Sequence, residues 1–134
     1  MFQNRLFNAF LAVALMFSVS ACDEDETASI TITFEHPTAG EIVEDASDVE
    51  IHIHAEGVDG GEVDDMEVVL HPEGNVDDKI IDFDEHTHAE SYEFIEKVDL
   101  SSYPSGTTFH LEVNICGDHD CELSKSEDIE FSIM

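Results

Sequence analysis

Seven short stretches of strictly alternating apolar and polar residues govern what this chain can become. "ITITF" (30–34) sets Ile30, Ile32 and Phe34 against Thr31 and Thr33. "VEIHIHA" (49–55) sets Val49, Ile51 and Ile53 against Glu50, His52 and His54. "MEVVLH" (66–71) offers Val68 and Leu70 to one face, and "KIIDF" (79–83) offers Ile81 and Phe83. "SYEFIEKVDL" (91–100) keeps Tyr92, Phe94, Val98 and Leu100 in phase, with Glu96 sharing that phase at a bulge or an exposed strand end. "TFHLEVNIC" (108–116) and "DIEFSI" (128–133) complete the set. A period of two turns one face of a strand to a core and the other to water, as in antiparallel sheets. Turn-forming clusters such as "HPTAG", "EGVDGGEVDD" and "SSYPSG" separate the segments, and none carries a helical period. About seven such strands predict an all-β fold, an antiparallel β-sandwich.

The first residues follow a different rule. Arg5 precedes a mostly apolar run over 6–19, closed by the small residues Ser18, Ser20 and Ala21. The run is too short to span a bilayer, and the three-part layout predicts a cleaved export signal. Val19-Ser20-Ala21-Cys22 resembles the lipobox of bacterial lipoproteins. The resemblance implies a signal peptide over 1–21, a lipidated Cys22 at the head of an acidic tether over 22–29, and a domain over 30–134. Two or more acyl chains give stable anchoring where one does not. Asp23, Glu24, Asp25 and Glu26 resemble the surface-export signal of some Gram-negative lipoproteins. In others, Asp directly after the cysteine favours inner-membrane retention. The expectation is an exported chain, lipid-anchored to a bacterial membrane, at the outer membrane or cell surface.

Cleavage there leaves three lysines against 33 carboxylates, a net charge of −30 with neutral His. Such a surface repels nucleic acid and anionic headgroups and attracts divalent cations or a basic protein partner. The acids are spread along the whole chain, which fits solubility in salty surroundings, with self-repulsion that salt relieves.

Three cysteines are present, and lipidation of Cys22 leaves Cys116 and Cys121 in "NICGDHDCEL". In an oxidising compartment an even remainder reads as a disulfide, and the spacing suits the two arms of a tight hairpin. The rival is a zinc site using Cys116, His119 and Cys121. Compartment and parity favour the disulfide.

The phrase "VDLSSYPSGTTFHLEVNICGDHD" resembles the fifth-strand exit, Pro-x-Gly turn and sixth strand of bacterial immunoglobulin-like domains. "CGDHDC" departs from the Asp-x-x-Gly-Asn type turn that often follows the sixth strand in those domains. "EHTHAESYEF" resembles a stretch found in uncharacterised His-bearing immunoglobulin-like lipoproteins, which implies the fold and the anchor without an activity.

All eight histidines lie beyond residue 21. His36 and His71 stand in His-Pro pairs at strand ends, where turn chemistry accounts for them. His52 and His54 share a strand face. "HIHAEG" looks like the His-x-His segment of copper-zinc superoxide dismutase, but the rest of that ligand pattern is absent, so exposed strand histidines are expected. In an immunoglobulin-like sandwich the connections after strands two, four and six share one pole, here 56–65, 84–90 and 117–121. That pole would gather His86, His88, Asp118, His119 and Asp120, donors that suit zinc or copper. Asp59, Glu62, Asp64 and Asp65 would suit calcium. The first strand starts at the same pole, so the tether leaves there. No nucleophile elbow, phosphate loop or zinc-protease helix motif is present, and a non-enzyme is expected. The expected function is a lipid-anchored binding module holding a divalent metal. The alternatives are a structural or adhesive envelope domain without an ion and, last, a copper-dependent enzyme.

Overall fold

The computed structural model describes residues 27–134; the signal peptide expected over 1–21 and the lipidation site Cys22 lie outside them. The described residues form eight strands: β1 (Ser29–His36), β2 (Ile42–Val43), β3 (Val49–Val58), β4 (Val63–Pro72), β5 (Ile81–Ala89), β6 (Ser91–Val98), β7 (Thr108–Cys116) and β8 (Ser124–Ile133). No helix among them is long and apolar enough to cross a membrane. A three-stranded sheet runs β1-β3-β6 and a five-stranded sheet β2-β8-β7-β4-β5. Two all-β sheets sharing one core are consistent with the expected sandwich.

The period-two pattern explains the core directly. Ile30 and Ile32 of β1, Ile51 and Ile53 of β3, and Phe94 of β6 supply one inner face. Met66, Val68 and Leu70 of β4, Leu111, Val113 and Ile115 of β7, and Phe131 and Ile133 of β8 supply the other. Phe109 stacks on Phe131 with ring centroids 5.5 Å apart, and Tyr103 meets Phe109 edge-on at 5.2 Å. Fully burying side chains of this size contributes about 1.5–3 kcal/mol each.

Two matching Asp-x-Ser turns join the sheets near one end. Asp45 Oδ1 accepts from Ser47 N–H and O–H, and Asp99 Oδ1 accepts from Ser101 N–H and O–H in the same way. Leu100 N–H then donates to Ala46 O at 2.7 Å, and the Leu100 side chain is fully buried. At the other end the β3–β4 turn lies backbone to backbone against the chain's entry. A Cβ on Gly57 would stand 2.0 Å from Gly61 O, and one on Gly61 would stand 2.3 Å from Ser29 O. Only glycine permits that approach.

Three features depart from the sequence expectation, and the two alternatives offered for Glu96 resolve to one. Eight strands form where about seven were expected, because β2 joins β8 in parallel through only two residue pairs, too few for any periodicity. The expected loop 84–90 is mostly the continuation of β5, an edge strand paired with β4 as far as Ala89. Its apolar alternation stops at Phe83 because no apolar side chain from Asp84 to His88 marks an inner face, while the backbone ladder continues. Glu96 pairs with Ile51 without any register shift and is exposed on edge strand β6, so it marks an open strand end and not a bulge. His71 is no turn residue: it lies within β4 and is 4% exposed.

Candidate metal centre

The β4–β5 ladder slips by one residue near the entry pole. Val63 pairs with Ala89 and Asp65 with His86, so Asp64 stands alone opposite Thr87 and His88. Such a bulge re-aims side chains that a regular ladder would hold apart. His88 takes a positive φ of 44° within it. Thr87 O–H donates to Val63 O and pins the bulged segment.

The slip brings Asp64, His86 and His88 together, one ligand-type atom of each lying within 4.8 Å of the other two. Asp64 is 3% exposed although it is a carboxylate. Its Oδ1 contacts His88 Nδ1, and its Oδ2 is buried with no hydrogen-bond partner. The two imidazoles meet edge-on, with ring centroids 3.9 Å apart. Asp65 accepts a hydrogen bond from His86 Nδ1, which leaves the lone pair on Nε2. That bond raises the His86 imidazole above its ordinary range; partial burial opposes the rise, and the charges of Asp65, Asp64 and Asp84 add to it. A carboxylate holding the far nitrogen of a histidine is the usual second layer of a metal site. A buried carboxylate and two imidazoles supply three ligands of a kind that zinc and copper take.

Of the residues expected at this pole, His86 and His88 are in the group, whereas Asp118, His119 and Asp120 are not. Asp118 serves the β7–β8 hairpin: Oδ1 accepts from Glu122 N–H at 2.8 Å and Oδ2 from Leu123 N–H at 2.9 Å. Cys116 and Cys121 stand at disulfide distance across that hairpin, with Cα atoms 4.8 Å apart. Of the expected calcium ligands, Asp64 belongs to the histidine group and Asp65 supports it; Asp59 and Glu62 join neither. Sequence reasoning assigned Asp64 to calcium because its pairing with His88 depends on a slip that no local pattern announces.

Other histidines meet carboxylates elsewhere. His36 Nδ1 lies 3.3 Å from Glu41. On the outer face of the three-stranded sheet, His52 Nε2 and His54 Nδ1 lie 3.8 and 3.7 Å from the same Glu93 oxygen, and both rings are partly covered. On the outer face of the five-stranded sheet, a polar groove of about 410 Å³ starts beside the candidate centre. Asp65, Glu67 and Asp84 rim it over Asn114, Ser124 and Ser126. A smaller hollow containing Glu112, Glu127 and Asp128 continues it past Asn114 and Ser126.

No family model matches the chain, and no curated protein matches it either.

Proposed function

We propose that this chain is an exported, lipid-anchored, immunoglobulin-like binding module that holds a divalent transition-metal ion on Asp64, His86 and His88. The observation that carries the reading is the unpartnered Oδ2 of Asp64, buried beside two imidazoles. A buried carboxylate oxygen without a partner is costly, and a cation relieves that cost while using both histidines. Zinc and copper(II) fit the donor set, and a carboxylate-only calcium site does not use the histidines.

The strand order supports the immunoglobulin-like assignment. The first, third and sixth strands lie in one sheet, and the seventh strand sits between the fourth and the last in the other. The lipobox resemblance at Cys22 supports the anchor at the outer membrane or cell surface. β1 begins at the metal-bearing pole, where Ser29 pairs with Val58, so a chain tethered through Cys22 would turn this pole toward the membrane. The role in this reading is binding: the carboxylates beside the centre, Asp65, Glu67 and Asp84, belong to an acidic surface and single out no acid–base pair.

The test is metal analysis of the full-length, oxidised protein with thermal melts in zinc, copper, calcium and EDTA. The reading predicts bound zinc or copper near one ion at this centre and a melting shift that His86→Ala or His88→Ala reduces by this centre's share. His119→Ala leaves that shift intact. A shift lost in His119→Ala and kept in the other two variants overturns the assignment.

A second reading rests on the acidic groove. Six carboxylates flank a floor of small polar side chains, which suits an extended basic segment of a protein partner. In that reading the domain is structural or adhesive and needs no ion.

A further inference from the structure

We infer that the outer face of the five-stranded sheet carries a second divalent-cation site at its far end, formed by Glu73, His110 and Glu130, and that this site takes zinc. It uses none of the residues of the first centre and does not depend on it. β4 runs between the two, and the six or seven residues from the first centre to the His71 row set them roughly 20 Å apart at about 3.3 Å per residue.

Register builds the site. His71 pairs with His110 across β4 and β7, and His110 pairs with Glu130 across β7 and β8, so all three stand in one row on the outer face. Just past β4, Glu73 N–H donates to Thr108 O at 2.8 Å, which extends the β4–β7 ladder by one pair and keeps Glu73 beside the start of β7. One ligand-type atom from each of Glu73, His110 and Glu130 lies within 4.8 Å of the other two. His110 Nε2 stands 3.4 Å from Glu130 Oε1. Two ligands of a tetrahedral zinc, each about 2.0–2.1 Å from the metal, are separated by about 3.3–3.4 Å. The observed gap needs little adjustment to admit the ion.

His71 gives the row its rigidity. Its ring stacks on His110, with centroids 5.4 Å apart and planes 9° from parallel, and it is almost fully buried. Its Nδ1 bonds Pro72 O at 3.0 Å; a carbonyl can only accept, so Nδ1 carries the proton. Its Nε2 lies 3.3 Å from Glu112 Oε1, so both ring nitrogens are held. His71 is thus a positioning residue for His110, while Glu73 and Glu130, both exposed, remain free to close on an ion from solvent. One imidazole and two carboxylates leave a fourth position for water or for a donor from a partner.

The experiment is equilibrium dialysis of the full-length protein against zinc, with bound metal counted per chain. We expect two zinc ions in the wild type. Glu130→Gln, Glu73→Gln and His110→Ala should each weaken one of them at least about tenfold. The double variant His86→Ala/His88→Ala should lose only the other. Both glutamates are exposed, so unchanged metal-free melting of their glutamine variants separates loss of a ligand from loss of the fold. If all three variants bind as the wild type does, the inference fails. A wild type holding a single ion that Glu130→Gln removes and His86→Ala/His88→Ala spares upholds this site and overturns the first. A wild type holding no zinc overturns both.

Discussion

Asp64 and His88 meet across a one-residue slip between β4 and β5, and the contact occupies only one oxygen of a nearly buried carboxylate. The other oxygen has no hydrogen-bond partner. An unpartnered buried oxygen is costly, and under the proposed metal binding an ion would take it as a ligand. Asp64→Asn should therefore leave metal-free melting unchanged or raise it, because it removes a buried charge. The same variant should remove the share of zinc stabilisation that this centre supplies, which at a hundredfold excess over its Kd is worth about 2.7 kcal/mol. Thermal melts of both proteins with zinc and with EDTA check the pair of outcomes.

The Asp-x-Ser turns carry an acid dependence of defined sign. The hydroxyl and backbone N–H of Ser101 hold the Asp99 carboxyl below its ordinary range, and Ser47 acts likewise on Asp45. A lowered folded-state value means stability that is present above the unfolded value of about 3.9 and lost as pH falls through the folded one. Ser101→Ala should melt earlier than the wild type at neutral pH. The gap should stay constant down to about pH 5 and close below the unfolded carboxylate range. Melting curves across that range are the check, and a gap that persists at the acid end contradicts the account.

The hairpin at the end of β7 is held twice, by the cysteine pair and by Asp118. Joining Cys116 to Cys121 closes a short loop, worth about 2 kcal/mol on the chain-entropy model. Cys116→Ser/Cys121→Ser should lose stability of that order in denaturant unfolding while keeping zinc binding at Asp64, His86 and His88, because no hairpin residue is a ligand there. Loss of metal binding in this variant would show that the hairpin belongs to the centre after all.

A net charge of −29, with four basic side chains against 33 carboxylates, makes self-repulsion a standing cost of compactness. Salt screens exposed charges beyond about 10 Å at 0.1 M. Melting temperature should climb by several degrees from low salt to molar NaCl with EDTA present, and a flat or falling curve would refute it.

Much of the fold was legible because burial follows a period of two. Ile51 and Ile53, Leu111 and Val113, and Phe131 and Ile133 are inward as their alternation requires. The cysteine hairpin was legible from spacing and parity. β2 was not, since Ile42 and Val43 are held by β8 and by no pattern of their own. The end of β5 was not, since an edge strand without apolar side chains from Asp84 to His88 loses the alternation that marks a strand. The candidate centre was half legible. His86 and His88 stand out as His-x-His, but Asp64 is one carboxylate among 33, and its role comes from a slip in register. The row of His71, His110 and Glu130 was hidden for a similar reason: it is assembled across three strands from residues far apart in the chain.

The most direct measurement is anomalous diffraction at the zinc edge from crystals of the protein grown with zinc. The account predicts a peak within ligand distance of Asp64 Oδ2 and of one nitrogen each from His86 and His88. A zinc-loaded crystal with no peak there, or with this pole's ion on Asp118, His119 and Asp120 instead, would contradict it.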